Sequence, residues 1–454
     1  MSTSPPPKVA GIHPVLPTVP QTSQPADDVT LGRPGGVHDR LASWISDLTT
    51  LHSLTERLGR TRTLGDALEE TLRAGAGLLG ARRGLVSLRP ADGLGPERLA
   101  GLGLGHADLG HLETVPRSVE IPQDTDTEPA EIVHRDIPHE DALDPRHREV
   151  AARLGFAASY GVPLAAEAPG RLGAAVWLYD EPGQPDPRQR RLLSHYLRQA
   201  GQHIANRLEL CRARAAVRTV HEGLLPPRLP LLPGVTLAVR HRFGPRGGGD
   251  FYDALALPDQ ALGLAIGGAT GTGPAALAAM GRLRAGLRAY AVMEGEDPVA
   301  VLSDLELLLR LTEPGRSATA LFGYAEPATR RMVLASAGHP PPLVVGAGRA
   351  VFAETTLSAP LNMLACWEAP SVHLRIEEEE TVLLYSDGLL HRTGEPLDRA
   401  FAHLQAAAAC APPAARTDPG ALADHVLHTM LPDIDSPGAR DSAEDVVLLA
   451  AHFA

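Results

Sequence analysis

Hydrophobic and polar positions divide this 454-residue chain into stretches of different period. Up to about His38 large apolar side chains are sparse among Pro, Ser and Thr. Such a segment cannot bury enough surface to offset its ordering, so residues 1–38 read as a disordered, Pro-rich tail. From Asp39 a three-and-four spacing of Leu41, Trp44, Leu48, Leu51 and Leu58, with Thr55 in the remaining slot, predicts a helix. Its stripe fits a short coiled coil or a face packed on the following domain about equally well. Leu64 to Leu79 is helical in pattern and Gly84 to Leu88 reads as a strand. Loop-rich sequence follows to about His147, then a helix over Arg148 to Leu154 stopped by Gly155. Two strands, Ser159 to Leu164 and Leu172 to Tyr179, flank an A-E-A-P-G turn. The second is bulky and apolar, as a central strand should be. A long helix from Pro187 carries Leu193, Leu197, Ala200, Ile204 and Leu208 on one face and runs toward Val220. Pro226 and Pro227 end it by removing donors and by clash.

Beyond Gly234 the period shortens. Val235, Leu237 and Val239 alternate with Thr236, Ala238 and Arg240, as in a strand with one buried face. Asp253 opens an expected strand over Ala254 to Leu257, Pro258-Asp259-Gln260 turns, and Leu262 to Ile266 returns to Gly267-Gly268. This hairpin is expected to bring Asp253 and Gly268 together. Pro274 starts a helix that continues through Tyr290, and Pro298 to Arg310 supplies another. Further strands are expected at Ala318 to Tyr324, Arg331 to Ala335, Pro342 to Val345, Thr381 to Tyr385 and Val446 to His452. The alternation implies two sheets flanked by helices. The chain thus divides into the tail, a sensor-sized α/β domain over 39–212, a helical linker over 213–233, and an α+β domain over 234–454.

Composition narrows the function classes. Apolar residues make up 44% of the chain and charged residues 21%, ordinary for a protein with buried cores. A net charge of −12, with no basic block, gives no general attraction to nucleic acid or anionic membrane. No apolar run approaches the roughly 20 residues of a membrane span. Cys211, Cys366 and Cys410 are scattered without a CxxC pair, which argues against a disulfide framework or thiolate metal site and points to a reducing cytoplasm.

Candidate chemistry concentrates in the second half. R-G-G-G-D-F-Y-D (Arg246 to Asp253), Y-S-D-G-L-L (Tyr385 to Leu390) and E-D-V-V-L-L (Glu444 to Leu449) each put an Asp beside glycine or at a strand end. There carboxylates can converge on hard divalent cations. I-G-G-A-T-G-T-G (Ile266 to Gly273) is built the same way, but Gly268 stands where an acid is expected.

With S-A-T-A-L-F-G-Y (Ser317 to Tyr324) and A-S-A-G-H-P-P-P-L (Ala335 to Leu343), these motifs give residues 223–454 a resemblance to the SpoIIE-type branch of the metal-dependent (PPM) serine/threonine protein phosphatases. The resemblance implies an α-β-β-α sandwich holding two Mn²⁺ or Mg²⁺ ions. It implies that Asp253, with Asp250 near it, serves one metal and that Asp387 and Asp445 serve the other. The Asp missing at Gly268 would bridge both, and the carbonyl of Ala269 would be a further ligand. Thr272 stands in place of a usual His, and Asn362 in place of a usual Gly. Upstream, L-G-A-R-R-G-L-V-S-L and L-G-F-A-A-S-Y-G-V-P-L followed by R-L-G-A-A-V-W-L-Y-D resemble a GAF domain over about Trp44 to Leu208. That domain class binds small ligands, here unidentified, and the lack of Cys within it argues against thioether attachment of a bilin. Such GAF–phosphatase chains act in bacterial regulators on phosphorylated antagonists of anti-sigma factors, and the flanking helices suggest a homodimer. Loss of the bridging acid leaves two expectations: an impaired phosphatase, or a pseudophosphatase that docks a phosphoprotein without hydrolysing it.

Overall fold

The computed structural model describes residues 35–89, 98–105, 107–109, 131–168, 170–244, 247–355, 358–364, 368, 370–434 and 444–454. Residues 1–34 of the expected tail lie outside them. The chain forms two compact units, Met1–Ile204 and Ala205–Ala454.

In the first unit, helix α1 (Gly35–Gly59) buries Leu54 and Leu58 but leaves Trp44 and Leu48 exposed at 69% and 67%. Helix α2 (Leu64–Leu79) starts in a reciprocal cap between Thr63 and Asp66 and ends at Gly80 in the left-handed region, φ 70°. The strands β1 (Arg83–Leu88), β2 (Arg98–Leu102), β3 (Ile132–His134), β4 (Ala158–Ala165) and β5 (Arg171–Tyr179) form an antiparallel sheet in the order β2-β1-β5-β4-β3. The stretch expected to be loop therefore contains the two edge strands. Helix α3 (Pro145–Leu154) begins at the Asp144 cap, before β4. Trp177, fully buried on β5, donates its indole N–H to the Leu72 carbonyl of α2 at 3.0 Å. A Cβ at Gly75 would stand 2.1 Å from that indole, so glycine lets α2 settle on the ring.

Helix α4 (Pro187–Leu224) ends two residues before Pro226. In the second unit it is followed by β6 (Val235–Arg242), β7 (Asp250–Ala256) and β8 (Leu262–Ala269). Next come α5 (Pro274–Glu294), α6 (Pro298–Thr312), β9 (Ala318–Glu326), β10 (Arg331–Ala337), β11 (Leu343–Gly346), β12 (Arg349–Phe352) and β13 (Val372–Arg375). The chain closes with β14 (Glu380–Tyr385), α7 (Gly388–His391), α8 (Leu397–Ala409), α9 (Pro419–Met430) and β15 (Val446–Phe453). One sheet has the order β13-β10-β9-β8-β7 and the other β12-β11-β14-β15-β6. Strand β15 shows why they stack. Val447, Leu449, Ala451 and Phe453 share a core with the first sheet and α5–α6, whereas Val446, Leu448 and Ala450 pack with α8 and α9. A strand covered on both faces must be apolar at every position, hence the run V-V-L-L-A-A. The result is an α-β-β-α sandwich, with β7–β8 in one layer and β14–β15 in the other.

Candidate active site

Strand β7 begins three residues earlier than its sequence pattern suggests. In the antiparallel ladder Asp250 stands opposite Gly268, and Asp253 opposite Ala265. An odd shift along a strand reverses the face a side chain occupies. Asp253 is accordingly buried away from the other acids. Its Oδ2 lies 2.8 Å from Arg284 Nε and 3.7 Å from Arg288 NH1, both on α5, while Oδ1 accepts from Ala254 N at 3.0 Å. Burial raises the Asp253 carboxyl, and the two guanidiniums oppose that. The expected pairing of Asp253 with Gly268 is thus replaced by Asp250 with Gly268, and Asp253 serves as the partner of an internal cation.

Asp250, Asp387 and Asp445 come together. Asp387 leaves β14 and opens the short helix α7; Asp445 immediately precedes β15, paired to β14 through Tyr385 and Leu448. Burial pushes the Asp250 carboxyl well above the usual carboxylate range, and the charges of Asp387 and Asp445 push it further. A hydrogen bond with Ser386 works the other way. Asp445 is also raised by burial, although Gly244 N donates to its Oδ1 at 2.6 Å. Its Oδ2 is buried and takes no hydrogen bond.

Glycines make this crowding possible. A Cβ at Gly248 would lie 2.1 Å from Asp445 Oδ2, one at Gly249 2.2 Å from the Ala269 carbonyl, and one at Gly388 1.9 Å from the Asp445 carbonyl. Ala269 N donates to Gly249 O at 3.0 Å, which fixes the end of β8 against the approach to β7. At Gly268 a Cβ would stand 2.5 Å from Asp250 Oδ1. Any side chain at position 268 would therefore face Asp250 directly. Gly271 and Gly273 take φ of 101° and 82° in the following turn, and Thr272 between them is exposed.

Two buried histidines organise the surroundings. His339 Nε2 donates to the Tyr385 carbonyl at 3.2 Å, just ahead of Ser386-Asp387, and Ser336 Oγ donates to the His339 carbonyl. Burial holds the His339 imidazole neutral, down to about 4. From the last turn of α4, His221 Nε2 meets the Asp250 carbonyl at 3.2 Å, and its Nδ1 faces Asp445 Oδ2 at 3.9 Å. His241 on β6 packs beside it, pushed down to about 3 by burial and then by neighbouring His221, Arg218 and Arg242. Neither His221 nor His241 belongs to a motif, and no spacing in the chain links them. Asn362 sits at φ 61°, a conformation Asn tolerates better than most residues. Its Nδ2 donates to the Glu313 and Arg316 carbonyls, tying down the loop before β13.

Three close carboxylates, one with a buried unpartnered oxygen, suit a hard divalent cation. Strand β8 contributes no carboxylate to the set.

Residues 258–454 match the family model for stage II sporulation protein E (SpoIIE), and residues 63–204 match that for the GAF domain. Solved structures similar to this chain include the RsbU and RsbW domains of a Mycobacterium tuberculosis protein (29% identity, TM-score 0.45, 51% of this chain and 63% of that one). This chain therefore spans less than two thirds of that structure. Others are the PP2C domain of SiaA from Pseudomonas aeruginosa (16%, 0.44, 55% and 99%) and a Bacillus subtilis SpoIIE phosphatase domain with a regulatory-domain fragment (11%, 0.41, 94% and 99%). The family matches, on a fold of two stacked sheets with acids at their ends, show that the chain joins a GAF domain to a protein phosphatase domain of the SpoIIE branch of the PPM family.

Proposed function

We propose that this chain is a GAF-regulated phosphoprotein phosphatase whose metal centre is weakened by the glycine at 268. The convergence of Asp250, Asp387 and Asp445 carries the reading. These acids would hold Mn²⁺ or Mg²⁺, with the Ala269 carbonyl beside them. When bound, such cations activate a water and neutralise phosphoryl oxygens. The protein's own part is positional: Ser386 and His339 orient the acids, and the glycines at 248, 249 and 388 bring them close. Arg284 pairs with Asp253 on the opposite face of β7. The substrate class is a phosphoserine or phosphothreonine protein, by family an antagonist of an anti-sigma factor in the bacterial cytoplasm. The exposed Trp44 and Leu48 on α1 favour a homodimer joined through that helix. No described helix is long and apolar enough to cross a membrane.

A second reading, a pseudophosphatase that docks its phosphoprotein without turnover, is favoured by one observation. Asp250 Oδ1 lies within 2.5 Å of the place a side chain at 268 would start, and no acid comes from β8. Mn²⁺-dependent hydrolysis of p-nitrophenyl phosphate and a phosphoserine peptide by the full chain separates the two. A rate abolished by Asp387→Asn supports the enzyme; no metal-dependent rate together with retained phosphoprotein binding supports the docking module.

A further inference from the structure

Beside the carboxylate cluster lies a set of donors of different chemistry. Ligand atoms of His221, His241 and Asp445 all lie within 4.8 Å of one another. His221 Nδ1, both ring nitrogens of His241 and Asp445 Oδ2 are buried without a hydrogen-bond partner. Buried polar atoms are rarely left this way, and three of them, one from each residue, meet at one point.

The tautomer of His221 sharpens the problem. Its Nε2 donates to the Asp250 carbonyl at 3.2 Å, so in the neutral ring Nδ1 carries the lone pair. That lone pair faces the Asp445 Oδ2 carboxylate oxygen at 3.9 Å, too far for a hydrogen bond and repulsive with nothing between. A cation between them reverses the sign. His241 brings a second imidazole from β6, its ring 5.2 Å from that of His221. Phe243 covers both rings, at 4.8 Å and 4.0 Å between centroids, and gives the site a dry wall. The positive charge of Arg218, stacked over Phe243, is met by Glu222 at 2.8 Å.

We propose that His221, His241 and Asp445 bind one borderline transition-metal cation of the Zn²⁺ class. Two imidazoles and one carboxylate select such ions over Mg²⁺, which prefers all-oxygen sites. Metal–ligand distances of about 2.0–2.2 Å place tetrahedral ligands about 3.4 Å apart, so the 3.9 Å between His221 Nδ1 and Asp445 Oδ2 and the spread of up to 4.8 Å within the trio must close slightly around a bound ion. The carbonyl of Asp250 fixes the His221 ring, the usual arrangement around a metal-bound imidazole. This site goes beyond the proposed hydrolysis; it shares Asp445 with it as a ligand and touches it again at Asp250, whose carbonyl holds His221. Occupancy would clamp the last turn of α4 and strand β6 to the loop that carries Asp445.

The test uses the full chain, stripped with chelator, then loaded with Zn²⁺ and, separately, Co²⁺. Expected are one Zn²⁺ per chain by elemental analysis, visible Co²⁺ absorption of low-symmetry coordination, and two imidazole nitrogens by X-ray absorption at the Zn edge. Asp387→Asn keeps this binding because Asp387 is not among the three ligands. His241→Phe and His221→Gln, checked for folding by circular dichroism, weaken it by more than about 100-fold, the upper end for groups that merely support a ligand. A wild type that binds no Zn²⁺, that holds it only through oxygen, or that loses it with Asp387→Asn but not with His241→Phe overturns the proposal. If either histidine variant fails to fold, the wild-type X-ray absorption decides alone. Lack of phosphatase activity affects none of these readouts.

Discussion

Restoring the absent acid with Gly268→Asp tests the site most directly. The new Cβ would stand 2.5 Å from Asp250 Oδ1, so Asp250 must rotate before the side chain fits. Gly268 itself does not adopt a positive φ, so the backbone accepts the change without strain. Without metal the variant faces two carboxylates about 4 Å apart, a repulsion of about 4 kcal/mol at an effective dielectric of 20. Asp250, already raised by burial and by Asp387 and Asp445, absorbs part of this by keeping its proton. With Mn²⁺ the sign reverses. A directly bound carboxylate should add more than the roughly 100-fold attributed to groups that only support a ligand, or about 2.8 kcal/mol. For a domain of this size each kcal/mol shifts Tm by about 2–4 °C. Mn²⁺ should therefore raise the variant's Tm by about 5–10 °C more than the wild type's, while in chelator the variant melts below it. Calorimetric titration of Mn²⁺ and initial rates on a phosphoserine peptide complete the assay, and both are expected to rise. A wild type already fast, with neither affinity nor rate improved by Gly268→Asp, would refute the assignment of position 268.

Other outcomes follow from the same geometry. Asp387→Asn should lower any Mn²⁺-dependent rate at least 100-fold, of the order seen on removing a group that stabilises developing charge, whereas Asp253→Asn should act mainly by leaving Arg284 buried without its partner and lower Tm. His241 and His339, held neutral with folded values of about 3 and about 4, are each lowered from 6.5. At these two rings the unfolded chain binds more protons below pH 6.5, which lowers stability as pH drops from there toward 4, whereas the raised carboxyls of Asp250, Asp253 and Asp445 act in the opposite sense. The His339 contribution has a limiting slope of about 1.4 kcal/mol per pH unit for one proton; it is read as the difference in slope between the wild type and His339→Gln in denaturant melts between pH 7 and 4, and an unchanged slope in the variant would count against the assignment. Gly75→Ala should destabilise the GAF domain by about 1–3 kcal/mol through overpacking against Trp177, read as a Tm shift. Trp44→Glu with Leu48→Glu should turn a dimer into a monomer by light scattering; a wild-type monomer at tens of micromolar would remove the dimer.

How much of this was visible in the sequence depends on contrast. Strands β5, β14 and β15 are bulky apolar runs and appear with nearly their structural limits, as does α2, whose apolar stripe is bounded by a cap and a glycine. Helices α8 and α9 carry no such contrast. The buried side of α8 is Ala400, Leu404, Ala407 and Ala408, and alanine stands out little from its polar neighbours. Edge strands β2, β3 and β13 are short, half-exposed and equally faint. At the site, acids beside glycine or at strand ends could be recognised individually. Which acid of G-G-G-D-F-Y-D faces the others depended on the register of β7 with β8, and that is set by pairing across the sheet. His221 and His241 belong to separate elements brought together only by the fold, so only a three-dimensional view could join them.

The close opposition of Gly268 and Asp250 has a genetic consequence. Every glycine codon becomes an aspartate or glutamate codon by one change at its second base, and two of the four become aspartate. The position facing Asp250 is thus one nucleotide from carrying an acid, and the rest of the cluster is in place to receive it. On the proposed reading of position 268, a lineage could lose and regain hydrolysis by this one change with the GAF domain and the core unaltered. Populations under selection for phosphatase output should find codon 268 among their first revertants.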